Sequence, residues 1–485
     1  MKKSITKNYI YNLVYQILVL ILPLITAPYV SRVLGPENIG IYSYTISVTT
    51  YFILFGSLGI AMYGQREIAY NQSDPEKYSK IFWELIIFRF VTMSFSMIIF
   101  YFNFVKSTQY GTYYAILLLE LLANCLDVSW FFQGLEEFKK TVTRNVIVKF
   151  ITIVSIFTFV KTQNDLSKYF WIYVLSTVIG NISLWLYLPK ILKKVKIKEL
   201  NVYKHIKPNI LLFIPQIATQ IYTVLDKVMI GSIISNKSEV GYYEQSQKIV
   251  KMLLTIVTSL GTVMMPRMAN TFVKGEKEKI LEYLQNSFNF VFFIATPMMF
   301  GTIAISNNFV PIFFGPGYEK VSLLMSVISP IFIMIGLSNV IGTQYLLPTK
   351  KQKQFTISVV IGAIVNFFIN IILIRKFGSI GASVATVIAE SIVTIVQLIF
   401  IRKDINIKII FEMASKYVVS AILMFIVCIM IGTMINDKIC AIISQVIAGI
   451  VIYLLCLIVL KDRYIYIRLN KIKQKISQVW EIKNE

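Results

Sequence analysis

Twelve charged side chains sit inside stretches that are otherwise apolar, and they are the groups in this sequence best placed to do chemistry. Six are basic: Arg32, Arg89, Lys149, Lys227, Lys248 and Lys251. Six are acidic: Glu84, Glu120, Asp127, Asp226, Glu244 and Glu390. A charge at bilayer depth costs several kcal/mol or more, so it normally faces a partner or a wet cavity. Twelve are too many for a bundle that is dry throughout, and they imply a hydrated centre. Spacing puts several of them on shared helix faces. Glu244, Lys248, Lys251, Thr255 and Thr258 recur at steps of 4, 3, 4 and 3. Asn209, Gln216, Gln220, Thr223 and Lys227 form a second stripe, and Asn145, Lys149, Thr152 and Ser155 a third. Further stripes are Glu120, Asn124 and Asp127; Ser383, Thr386, Glu390, Thr394 and Gln397; and Gly362, Asn366 and Asn370.

Cations one turn apart, such as Lys248 and Lys251, suit an anionic, hydrated ligand. Lys149, Arg89, Lys227 and Arg32 are the other candidates for that role. Glu390, Glu120, Asp127, Asp226 and Glu84 are candidates for a coupling ion, or for keeping the lysines charged. Each group also has a plainer reading. Asn, Thr and Ser often bond helices together, the preferred reading for Asn366 and Asn370. Arg32, Glu84 and Asp127 lie near helix ends and can snorkel towards water. Lys149, Lys248, Lys251, Glu120 and Glu390 are too central for that, and a buried ion pair is their alternative. The charges balance six to six, so counting them does not identify an anionic ligand.

No enzyme signature accompanies these groups. The sequence has no phosphate-binding Gly-rich loop, no HExxH, no acidic metal cluster in a loop and no nucleophile with a base. An enzyme is therefore not expected, nor a cofactor. Cys125, Cys428, Cys440 and Cys456 lie in or beside apolar runs without metal spacing and read as packing residues. The one histidine, His205, sits in a lysine-rich linker, which leaves no intramembrane histidine as a proton switch.

The elements that must position these groups are membrane helices. Apolar residues make up 56% of the chain and charged residues 15%, with mean hydropathy +0.68. A soluble domain carries about 25% charged residues. Apolar stretches of about 20 residues recur instead, the length that crosses a hydrocarbon core of about 30 Å. We read fourteen: 9–33, 38–64, 81–105, 109–133, 141–160, 169–189, 208–233, 239–266, 285–306, 319–347, 355–374, 380–401, 413–435 and 439–460. The first follows Lys2, Lys3 and Lys7 but is too long for a signal peptide. The expected fold is an all-α polytopic membrane protein. It has an N-terminal lobe (1–189), a basic linker (190–207), a second lobe (208–403), two further helices (404–460) and a tail (461–485). With the N-terminus inside, the inner segments hold 34 Lys and Arg and the outer loops 8. That bias puts both ends in the cytoplasm and accounts for the net charge of +23 without a nucleic acid partner. Tail residues Ile465, Leu469, Ile472, Ile476 and Val479 recur at helical spacing. They describe a helix on the inner leaflet, or else a basic tail that serves topology only.

The linker divides the first twelve helices into two sixes, so both halves enter the membrane in the same direction, as in a parallel repeat. Ile39-Gly40-Ile41-Tyr42 and Val240-Gly241-Tyr242-Tyr243 occupy matching positions, as do Leu22-Pro23 and Ile214-Pro215. Leu22-Pro23 through Arg32-Val33-Leu34-Gly35, followed by Ile39–Tyr42, resembles the opening of the Wzx-type oligosaccharide flippases. These belong to the multidrug/oligosaccharidyl-lipid/polysaccharide superfamily. Gly64-Gln65-Arg66-Glu67-Ile68-Ala69, Trp130–Phe138 with Arg144, Leu225-Asp226-Lys227 with Gly231, and Asn366 and Asn370 with Gly378, Gly381-Ala382 and Ala385-Thr386 carry the same likeness. It covers roughly residues 5–460. The resemblance implies two six-helix lobes around a central cavity plus two C-terminal helices, in the bacterial plasma membrane. It implies movement of undecaprenyl-pyrophosphate-linked repeat units to the outer leaflet for capsule, exopolysaccharide or O-antigen assembly, coupled to a proton or sodium gradient. The implied partners are the lipid-linked oligosaccharide, membrane lipids, a polysaccharide polymerase and glycosyltransferases. A drug or organic-cation exporter, a lipid II flippase and a non-transporting assembly scaffold are the competing readings.

Overall fold

The computed structural model describes residues 5–462 and 464–466, and among them there is no β-strand. Twelve of the described stretches are long and apolar enough to cross a membrane. The first, Leu22–Tyr70, takes in most of a helix, Ile5–Ser57, whose break at Gly35 separates the first two expected segments, and a further helix of 28 residues spans Ile206–Ile233. Together they account for the fourteen expected segments. The chain divides into two compact units, Met1–Gly241 and Tyr242–Glu485.

In the first unit, α1 (Ile5–Ser57) is interrupted at Gly35, whose φ of 75° is left-handed. Such a conformation costs glycine little, and Pro36 then restarts the helix without needing a donor. Where the sequence suggested a helix running to residue 64, Leu58 and Gly59 adopt positive φ and break it. The motif Gly64–Ala69 is therefore not loop but the body of a short helix, α2 (Ile60–Tyr70). α3 (Pro75–Phe100) begins on an Asp74 cap that accepts from the Glu76 and Lys77 amides. The expected fourth helix is two pieces, α4 (Gly111–Cys125) and α5 (Ser129–Gly134). α6 (Phe138–Phe159), α7 (Leu166–Trp185) and α8 (Ile206–Ile233) follow. The linker between α7 and α8 carries short 3₁₀ turns.

Apolar packing alone drives membrane helices together weakly, because lipid is as apolar as leucine; small residues and close backbones do more. The first unit shows this at its motifs. A Cβ on Gly64 would meet the Trp130 ring at 2.5 Å, and one on Gly134 would lie 2.7 Å from the Gln65 carbonyl. The two motifs therefore hold each other, with Trp130 buried and stacked on Phe82.

The second unit contains α9 (Ser238–Val273, whose first turn lies in the first unit), α10 (Lys277–Phe313), α11 (Glu319–Ile328), α12 (Ile331–Ser338), α13 (Gln352–Phe377), α14 (Ser379–Ile401), α15 (Ile407–Met434) and α16 (Lys438–Val459). At 1.5 Å per residue α9 is ~54 Å long, so it projects well beyond a ~30 Å hydrocarbon core. The expected helix 319–347 is interrupted at Pro330 and widens into a π-helix over Asn339–Leu346. Gln445 on α16 donates to the carbonyls of Cys428 at 2.8 Å and Ala304 at 3.3 Å, joining α16 to α15 and α10. Of the tail stripe, Ile465 is buried and Tyr464 packs on Phe293, so the tail starts against protein. Leu469, Ile472, Ile476 and Val479, and the side chains of Gln216, Gln220 and Thr223, lie outside the described residues.

Candidate functional site

In the first unit the intramembrane charges separate into distinct environments. Glu84, on α3, is fully buried. Its Oε1 accepts from the Asn201 amide at 2.8 Å, and its Oε2 accepts from Lys204 Nζ at 2.7 Å and His205 Nε2 at 2.9 Å. The linker thus folds back onto α3 and ends Glu84's access to water, where the sequence suggested snorkelling. His205, set aside as a linker residue, is only 2% exposed.

Arg89, one turn and a residue further along α3, is also buried. It donates from Nη1 to the Asp127 carbonyl at 2.7 Å. That carbonyl is free because the chain leaves the helix at Cys125. Two more carbonyls released there are bonded: Ala123 O by Asn181 Nδ2 and Leu126 O by Trp185 Nε1, both at 2.7 Å. Asp127 itself turns away from the Glu120–Asn124 face on which helical spacing had placed it. Its carboxylate accepts from the amide and hydroxyl of Ser129, an Asx-type turn that opens α5. Arg144, absent from the sequence candidates, donates to Ser129 Oγ at 3.1 Å and Asn181 Oδ1 at 3.0 Å. The broken helix is thus held open by a polar frame of Arg89, Arg144, Asn181 and Trp185.

Glu120 is different. It is 5% exposed, its Oε1 accepts from Asn124 Nδ2 at 3.2 Å, and its Oε2 is buried without a hydrogen-bond partner. Among the described residues no Lys or Arg forms an ion pair with it. Of the remaining first-unit candidates, Asp226 is buried, Lys149 and Lys227 are half-buried, and Arg32 is exposed. Lys237, in the loop between the expected helices 208–233 and 239–266, is 7% exposed. Its ammonium caps the end of α8 through the Gly231 and Ile234 carbonyls and lies over the Tyr44 ring.

In the second unit, α9 presents a continuous polar face. Lys248 Nζ lies 4.0 Å from Glu244 Oε1, with the Lys248 side chain 35% exposed, and Lys251, Thr255, Ser259 and Thr262 are exposed along the same helix. The hydroxyls of Thr255, Thr258, Ser259 and Thr262 bond back to their own helix, leaving lone pairs outward. Glu390 is 8% exposed on α14, one turn from Thr394, which donates to the Met334 and Glu390 carbonyls at 2.9 Å. Asn370 Nδ2 donates to Asn366 Oδ1 at 3.0 Å within α13, both residues being buried. Gln344 and Asn339, which sequence spacing did not single out, meet at 3.2 Å because the π-helix turns them to one side.

The long membrane helices, the interrupted α4 and the two compact units describe a polytopic all-α membrane fold. The fold is similar to that of lipid II flippase MurJ in an inward closed conformation, with TM-score 0.75 at 19% identity over 94% of this chain and 99% of that one. It is also similar to an inward-facing multidrug resistance MATE family transporter, with TM-score 0.60 at 12% identity over 81% and 95%. Residues 5–272 match the family described as polysaccharide biosynthesis protein, more than half the chain, and the chain belongs to that family, within the multidrug/oligosaccharidyl-lipid/polysaccharide superfamily. Residues 212–372 match the MatE family. A protein named for O-antigen transport in Escherichia coli (strain K12) is 26% identical over 408 residues, 83% of this chain and 98% of that protein. A Haloferax volcanii protein named for a low-salt glycan biosynthesis flippase is 24% identical over 203 residues, 42% and 43% of the two chains.

Proposed function

We propose that the protein is a secondary-transport flippase that moves undecaprenyl-pyrophosphate-linked oligosaccharides from the inner to the outer leaflet of a bacterial plasma membrane, with both chain ends cytoplasmic. The observation that carries this reading is the exposed basic face of α9. Lys248, half-buried, and Lys251, exposed, lie one turn apart on a helix that also exposes the hydroxyls of Thr255, Ser259 and Thr262 beside Ile256 and Val263. A pyrophosphate–sugar headgroup needs cations to offset its charge and hydroxyls to replace its water. Family membership and the full-length similarity to a protein named for O-antigen transport support the same substrate class.

Glu120 is the carrier of the coupling ion in this reading. Its Oε2 is buried and unbonded, so a proton or sodium ion added there meets a carboxylate oxygen with no prior partner. The MatE match over 212–372 favours organic-cation export as the second reading. The two differ in a single experiment. Lys248→Ala/Lys251→Ala should abolish export of lipid-linked oligosaccharide into the outer leaflet while protein stays at wild-type level in the membrane. Unchanged oligosaccharide export in that double variant sinks the assignment, and export of an organic cation by the wild type supports the alternative.

A further inference from the structure

One titratable cluster lies where the linker meets α2 and α3, and transport chemistry does not account for it. His205 is 2% exposed and its ring is bonded on both nitrogens. Nε2 meets Glu84 Oε2 at 2.9 Å, and Nδ1 meets the Tyr63 hydroxyl at 2.9 Å. The roles follow from chemistry. Glu84 already accepts from Lys204 Nζ and the Asn201 amide, so it is an acceptor here too and Nε2 carries the hydrogen. Nδ1 is then the acceptor and the Tyr63 O–H the donor. Asn209 Nδ2, in the first turn of α8, donates to the His205 carbonyl at 2.9 Å. A neutral imidazole therefore ties α2, α3, the linker and the start of α8 into one cluster.

A second proton on the ring changes this. Nδ1 becomes a donor, and the Tyr63 hydroxyl must turn its hydrogen away. Tyr63 is 4% exposed, and among the described residues its hydroxyl bonds to His205 alone. The charged groups around the ring are Glu84 on α3, Lys204 in the linker, and the paired Arg66 and Glu67 on α2, 3.1 Å apart. Glu84 and Glu67 favour an imidazolium and Lys204 opposes it, so burial and the Tyr63 hydrogen bond are what hold the ring neutral.

We propose that His205 is a proton-binding site that sets whether the linker is docked. Neutral, it holds the linker on α2 and α3 through Glu84 and Tyr63; protonated, it releases the linker. Burial pushes the imidazole below its ordinary value, against the opposing pull of Glu84. The docked state is therefore favoured at and above the ordinary imidazole value and weakens as pH falls through the lowered one.

The chain has one histidine, so ¹³Cε1-histidine labelling of the full-length protein in nanodiscs gives a single resonance to titrate. The wild-type midpoint should lie below that of free imidazole. Tyr63→Phe removes the hydrogen bond that favours the neutral ring and should raise the midpoint by about half to one unit. Hydrogen exchange of linker amides 197–206, corrected for intrinsic rates, should lose protection as pH falls through the wild-type midpoint. In His205→Gln and His205→Asn it should show no such step. A wild-type midpoint at or above the free value overturns the proposal. So does linker protection that ignores the midpoint, or that shows the same step in the histidine-free variants.

Discussion

Gly40 and Gly241 lie backbone against backbone. A Cβ on Gly40 would sit 1.7 Å from the Lys237 carbonyl oxygen and 3.1 Å from the Gly241 amide; one on Gly241 would sit 2.1 Å from the Pro36 carbonyl and 3.1 Å from the Gly40 amide. Gly40 and Gly241 are therefore each other's packing partner. Gly40→Ala and Gly241→Ala should each lower the thermal midpoint of the detergent-purified protein, since overpacking at such contacts costs about 1–3 kcal/mol. A midpoint equal to wild type would mean that the helices separate here without cost.

Arg89 and Lys251 are both intramembrane cations in the sequence, and they should fail differently. Arg89→Ala leaves the Asp127 carbonyl buried and unbonded at the break between α4 and α5. A buried group left unsatisfied costs about 1–3 kcal/mol, so protein yield and midpoint should fall together with export. Lys251 is exposed. Lys251→Ala should reduce export at normal yield, and equal loss of yield in both variants would contradict the separation of roles.

Glu120→Gln keeps the shape of the side chain and the bond to Asn124 while removing the ionisable group. The variant should be made at wild-type level and should bind lipid-linked oligosaccharide. Its transport in proteoliposomes should no longer respond to an imposed proton or sodium gradient. A gradient response equal to wild type would move the coupling ion elsewhere.

Gln445→Leu removes the donor that joins α16 to the Cys428 and Ala304 carbonyls. Hydrogen bonds between membrane helices average about 0.6 kcal/mol, with values to about 1.7 kcal/mol. The midpoint should drop slightly and export should persist, because this contact joins α16 to α15 and α10 and uses no residue of α9. Loss of export at unchanged stability would give α16 a part in transport.

Much of the candidate site was legible in the residues because a charge in an apolar run is costly enough to be conspicuous. Spacing also placed Lys248 and Lys251 with Thr255 on one face, since α9 is an unbroken helix there. Spacing misplaced Asp127 because it assumes the helix continues, and the chain leaves the helix at Cys125. It missed Lys237 because that residue falls in a loop, where a cation reads as topology, although the chain folds it back against the Gly231 and Ile234 carbonyls; Arg144, at the start of the expected helix 141–160, entered only through the family likeness, because its partners Ser129 and Asn181 lie on other helices.

The sequence by itself determined a multi-span membrane protein, its fourteen segments and their polar stripes, because hydrophobic length and helical period are local properties of consecutive residues. Tertiary structure alone decided which charges are already engaged. Glu84 is bonded by Asn201, Lys204 and His205, which follow it by more than a hundred residues, while Glu120 keeps a buried oxygen unbonded. Both are single acids in apolar helices and look alike in one dimension. What separates them is the partner the fold brings to a carboxylate oxygen, and only the folded chain sets that distance.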